Sequence, residues 1–172
     1  MEFEFAVKLS VPLIDPDQLI ERLGAAGCTD AAVGVGQPGR IALSFTREAR
    51  SAKQAIISAL EEARAAIPEA KLLEITPDLV GLSDVADLVS VTRQNMRKLM
   101  LRYPDSFPVA VHEGTSSLWH LFPVLKWLQE RAHYAVSQAL LEVSHIAMQI
   151  NLARDSRQIE PSVHRDVLEL VT

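Results

Sequence analysis

The hydrophobic period of the first 76 residues switches back and forth between two and about 3.6, and few folds accommodate that order. In EFEFAVKLS, Phe3, Phe5, Val7 and Leu9 alternate with Glu2, Glu4 and Lys8, the pattern of a strand with one buried face. DPDQLIERLGAAG follows, with Asp15 suited to cap a helix, Pro16 to occupy its first position, and Gly24 and Gly27 to end it. AAVGVGQPGRIALSF reads as strand, tight turn, strand, with Ile41, Leu43 and Phe45 alternating. SAKQAIISALEEARAAI predicts a helix capped by Ser51, with Ala55, Ile56, Ala59, Leu60, Ala63 and Ile67 on one face. Pro68 stops it, and KLLEI supplies a last strand.

The resulting order is βαββαβ, which predicts an α+β domain over residues 1–76 with a ferredoxin-like split βαβ arrangement. GVGQPG (34–39) has the G-x-G-x-x-G spacing, but a dinucleotide fingerprint must open a helix. Here RIALSF follows, so the glycines are read as a hairpin turn. TPDLVG (76–81) marks a boundary. A second domain is expected over residues 80–130 and a helical dimerisation and tail segment over 131–172.

Charge is segregated along the chain. Acids outnumber Lys and Arg by 22 to 17, a net charge of −5, which argues against a nucleic-acid coat over the whole surface. Yet Arg93, Arg97, Lys98 and Arg102 lie within one short stretch that holds no acid. LSDVADLVSVTRQNMRKLMLRY (82–103) reads as two helices. Val85, Ala86, Leu88 and Val89 line the first, residues 89–91 turn, and Thr92 offers a hydroxyl cap to the second. Met96, Leu99 and Met100 point inward by spacing. Arg93, Gln94 and Arg97 then face outward with the donors and acceptors that base edges require, Arg for guanine and Gln for adenine. Thr92, Lys98 and Arg102 are placed for the phosphate backbone. This is the layout of a helix-turn-helix.

These residues carry a resemblance. LSDVADLVSVTRQNMRKLM followed by SFPVAVHEGTSSLWHLFPVLKWLQE resembles the AlpA/excisionase and MerR-type DNA-binding domains. The matching residues are Asp84-Val85-Ala86, Val91-Thr92-Arg93-Gln94, Phe107-Pro108, the Gly114 turn, Trp119 and Val124–Leu128. The likeness spans residues 80–130, less than a third of the chain. It implies a winged helix-turn-helix: two helices, a small hairpin wing, then a closing helix. In the wing, His112, Ser116 and Ser117 are expected to reach phosphates. Two positions depart from the pattern: Ser90 stands where the turn often has Gly, and Glu113 lies near the wing tip where Arg or Lys is common.

From Pro123 a helical pattern runs to about Ala153. Val136, Leu140, Val143, Ala147 and Ile150 repeat at spacings of 4, 3, 4 and 3, a heptad seam. Leu125, Leu128, Ala132, Ala135 and Ala139 form a second stripe. A helix apolar on two stripes needs two partners, its own domain and the same helix of a second subunit; the alternative is packing wholly within one chain. The MerR-type resemblance implies a dimer helix at this place. A short helix is expected after Pro161.

The function expected is that of a sequence-specific, double-stranded-DNA-binding transcriptional regulator, a homodimer on an inverted repeat. The N-terminal domain would take a small molecule or a protein partner. The alternative is an antitoxin or phage-defence accessory protein whose main role is to hold a partner protein, with DNA binding as autoregulation. No enzyme, cofactor or metal is expected. His133 and His145 lack framing ligands, the Ser and His of TSSLWH lack a positioned acid, and Cys28 reads as a small core residue. No apolar run approaches ~18 residues and no signal peptide is evident, so a cytoplasmic, membrane-free protein is expected.

Overall fold

The computed structural model describes residues 1–131, 133–168 and 170–171. Among them the elements are β1 (Glu2–Ser10), α1 (Pro16–Ala25), β2 (Ala31–Val35), β3 (Arg40–Glu48), α2 (Ala52–Ala66), β4 (Lys71–Thr76), β5 (Leu79–Val80), α3 (Leu82–Leu88), α4 (Arg93–Arg102), β6 (Trp119–His120), α5 (Leu121–Arg131), α6 (Gln138–Ser156) and α7 (Pro161–Leu168). The chain is α+β. Its first four strands form one antiparallel sheet in the order β2-β3-β1-β4. Local chemistry sets the boundaries. The Asp15 carboxylate accepts from the Asp17 amide at 3.0 Å, and the Ser51 hydroxyl accepts from the Gln54 amide at 3.2 Å. Between β2 and β3 the chain reverses with Gly39 at φ 76°, a left-handed conformation that glycine adopts without strain.

Register follows from the alternation. Phe3, Phe5, Val7 and Leu9 are buried and Glu2, Glu4 and Lys8 exposed, so β1 buries a single face. Ile41, Leu43 and Phe45 of β3 lie across from Leu9, Val7 and Phe5, and the Phe5 and Phe45 rings stack at 5.1 Å. Helices α1 and α2 cover this face with Leu19, Leu23, Ile56 and Ala59. Arg47 of β3 ties the layers, donating to Asp30 at 2.7 Å, to Glu62 at 2.6 Å and to the Ser58 hydroxyl at 2.8 Å. Hydrogen bonds from Arg47 hold the Asp30 carboxyl below the usual carboxylate range. This pair therefore contributes stability at neutral pH that is lost as pH falls through the acid range. Cys28 sits in the same core, where burial, and then the Glu62 charge, push its thiol up to about 11.

The C-terminal segment differs from the single long helix expected. Helix α5 ends at Arg131, His133 takes φ 56°, and α6 starts at Gln138 under a Ser137 cap. The break lets the two helices serve different cores. Leu121, Val124, Leu125 and Leu128 of α5 pack with Val85, Met96, Phe107 and Trp119 in a second core. Val143 and Ala147 of α6 are buried in the first core. Ile150 and Ala139 pack at the margin of that core, Val136 and Leu140 against the second. The five-residue seam assigned to a second subunit thus faces the chain's own two cores. The heptad spacing also suits a helix that lies along a sheet and a neighbouring domain. Of the second stripe, Ala135 is exposed and Ala132 lies outside the described residues. Among the described residues, those of 131–172 form no separate core, and α6 helps to close the core of residues 1–76.

One buried cluster joins the parts. The Asn151 carboxamide of α6 accepts from the Ile75 amide at 2.8 Å and donates to the Ile75 carbonyl at 2.9 Å, covering the outer edge of β4. Its second N–H donates to the Asp78 carboxylate at 2.8 Å. The other oxygen of Asp78 meets His120 Nδ1 at 2.7 Å, and the Asp78 carbonyl accepts from the Leu121 amide at 2.7 Å. Asp78 is 1% exposed and Asn151 5%. Truncating Asn151→Ala leaves an amide, a carbonyl and a carboxylate oxygen buried without this partner, at roughly 1–3 kcal/mol each. We expect a loss of about 3–5 kcal/mol in urea denaturation. A loss below about 1 kcal/mol would show that the cluster does not hold the parts together.

Candidate nucleic-acid interface

Helix α3 begins where the Asp84 carboxylate accepts from the Gly81 amide at 2.8 Å. It ends in a left-handed cap: the Val91 amide donates to the Ala86 carbonyl at 2.9 Å and the Ser90 amide to Asp87 at 3.2 Å, with Ser90 at φ 56°. The position where glycine is usual is thus a true left-handed one, occupied by an exposed serine. Thr92 then caps α4, its hydroxyl accepting from the Asn95 amide at 3.2 Å. Met96 is fully buried and Leu99 and Met100 partly, which fixes the rotation of α4. Asn95 is taken up by a hydrogen bond to the Tyr134 hydroxyl at 2.9 Å.

The rotation leaves Thr92, Arg93, Gln94, Arg97, Lys98 and Arg102 exposed. Among the described residues Arg93, Arg97 and Lys98 enter no ion pair. Arg102 lies over the Tyr103 ring at 5.5 Å. A cleft of about 520 Å³ runs between the start of α3, α4 and residues 115–119. It brings Arg93 and Arg97 together with Ser116 and Ser117, and adds Thr115 and Met100. Gln94, Lys98, Thr92 and Arg102 lie on the exposed helix outside that cleft.

The segment expected as a hairpin wing is reduced to a single bridge, His112 to Leu118, around an exposed loop at 113–116. Its second side, β6, pairs with β5 instead. His112 turns back over its own loop: a Cβ on Gly114 would lie 2.7 Å from His112 Nε2, so a larger residue there would push the imidazole aside. His112 is therefore apart from the cleft that holds the serines. Trp119 and Trp127 are core residues, their indole N–H groups donating to the Pro108 carbonyl at 3.0 Å and the Ser106 hydroxyl at 3.2 Å. Phe107 packs edge-on to both.

The cleft offers two guanidinium groups and hydroxyl donors, and no carboxylate but that of Asp84, which is engaged at the helix start. This set suits a polyanion, with hydrogen-bond donors for oxygens on both walls. Among the described residues no group of three or more His, Cys, Asp or Glu is placed to hold a metal, and no helix is long and apolar enough to cross a membrane. Reasoning from sequence placed Met100 inward without a part in the cleft, and missed Thr115 and the Asp78–His120–Asn151 cluster. Asn151 carried a signal, an amide directly after Ile150 and four residues beyond Ala147 on a mostly apolar face. Comparison with protein-family models, with curated proteins and with solved structures gives no match.

A left-handed conformation costs a non-glycine residue roughly 1–2 kcal/mol. Replacing Ser90→Gly relieves that strain, offset in part by the greater freedom of glycine in the unfolded chain. Thermal denaturation of S90G should show a gain of about 1 kcal/mol, and S90V a loss of similar size or more. No change in either variant would contradict the strained turn.

Proposed function

We propose that this protein is a DNA-binding regulator that reads duplex sequence with α4. The observation that carries the reading is the rotation of α4. An acidic chain presents one helix face of unpaired cations, and that face borders a cleft whose far wall is hydroxyl-rich. In this reading residues 80–130 form a winged helix-turn-helix with a short wing and α5 as its closing helix, and residues 1–76 with α6 form a ferredoxin-like unit behind it. Arg93, Gln94 and Arg97 meet base edges, while Thr92, Lys98, Arg102, Ser116 and Ser117 meet phosphates.

The reading includes two copies on an inverted repeat, since one such unit covers little DNA and a second half-site multiplies affinity. With the α6 seam occupied, the exposed apolar residues that another protein could cover include Val163 and Val167 of α7 and Ile159 just before it. They fall at helical spacing and are 38–49% exposed. The same stripe supports the second reading, an antitoxin-like or accessory protein that holds a partner there and binds DNA for autoregulation.

Selection from a random duplex library at two salt concentrations tests this. An enriched inverted repeat is expected from the wild type. Arg93→Ala should relax preference at particular positions, at about 1–3 kcal/mol per base. Arg102→Ala should weaken binding to all sequences and lower the salt slope by about one. No enrichment overturns sequence reading and turns the search to a partner of α7. Equal, sequence-blind losses from both variants remove Arg93 from base readout.

A further inference from the structure

A second cavity, of about 440 Å³, lies between the polar face of the sheet, β6 and the end of α6. Its volume is in the range of small-ligand sites. Apolar walls come from Leu73, Leu79 and Leu152. Most of its charges are already matched. Lys8 meets Glu74 at 2.8 Å, Arg154 meets Asp155 at 2.6 Å, and Asp78 is held by Asn151 and His120. Two ionisable groups are left. Arg40, on the rim, makes no side-chain hydrogen bond or ion pair among the described residues, and neither does Nε2 of His120. The Asp78 carboxylate accepts at His120 Nδ1, so that nitrogen carries the proton, and in this tautomer Nε2 is the acceptor.

The two free groups make opposite demands. A guanidinium seeks an anion, and an imidazole lone pair seeks a hydrogen-bond donor. We propose that this cavity binds a small aliphatic amino or hydroxy acid. Its carboxylate meets Arg40, its amino or hydroxyl group donates to His120 Nε2, and its aliphatic part lies against Leu79 and Leu152. The site lies one residue from the other cleft: on β6, His120 lines this cavity and Trp119 the cleft beside α4. Binding here does not depend on DNA reading by α4.

The test is calorimetric titration of the full chain, without DNA, using matched probes. These are L-valine and L-leucine, their 2-hydroxy analogues, and 3-methylbutanoate and 4-methylpentanoate, which keep the carboxylate but lack the donor. Saturable binding of one equivalent is expected for at least one amino or hydroxy acid, with the donor-free analogue weaker. Arg40→Gln, at an exposed position that leaves the fold intact, should weaken binding at least about tenfold, the loss of one charge-assisted pair. Arg93→Ala should leave it unchanged. Binding of none of the probes, equal binding with and without the donor, or equal binding by Arg40→Gln overturns the proposal.

Discussion

The arrangement of this protein depends on a single carboxamide. Asn151 pairs with both polar groups of Ile75 on the free edge of β4 and passes its remaining N–H to Asp78, which holds His120. An open strand edge invites pairing with other chains, and a helix laid along it removes that hazard. A buried amide is a demanding solution, because each of its groups must be matched or it costs more than an apolar residue would. Here every donor of the amide is used, and among the described residues no buried side-chain nitrogen or oxygen lacks a partner. The result is directional. Greasy contacts alone would let α6 slide along the sheet, whereas the amide fixes its register against Ile75 and so sets where β6 and the second core begin.

That register explains the two-core organisation. Helix α6 gives Val143 and Ala147 to the sheet and Leu140 and Leu141 to the second core. The parts are thus joined by a shared helix as well as by the short 76–81 connection. The exposed basic face of α4 is positioned from this frame. Met96 anchors the helix from below, and Asn95 reaches Tyr134 in the segment between α5 and α6. In the proposed reading, an overall negative charge weakens non-specific attraction to DNA and gives the local cations of α4 more weight in choosing a site.

Much of the fold was legible where one physical rule acted alone. The alternation of Phe3 to Leu9 reports a half-buried strand, and the caps at Asp15, Ser51 and Thr92 report helix starts, because these depend on neighbouring residues only. The outward face of α4 followed from the spacing of Met96, Leu99 and Met100. Legibility failed where a pattern has two physical causes. A 4-3-4-3 apolar spacing serves a coiled coil and equally a helix wedged between two cores, and only the left-handed turn at His133 separates them. The Asp78–His120–Asn151 cluster joins residues 42 and 73 positions apart, beyond the reach of any local rule. The wing was overread because a Gly-centred loop signals a reversal without showing which strands pair.

The central claim is that α4 and the 115–117 loop together form a DNA surface. Amide chemical-shift mapping of the full chain, titrated with a short mixed-sequence duplex at low salt, tests it most directly. The account predicts the largest changes at residues 92–98 and 115–117, small changes along β5 and β6, and none along β2. Changes confined to the sheet or to α7, or none anywhere, would contradict it.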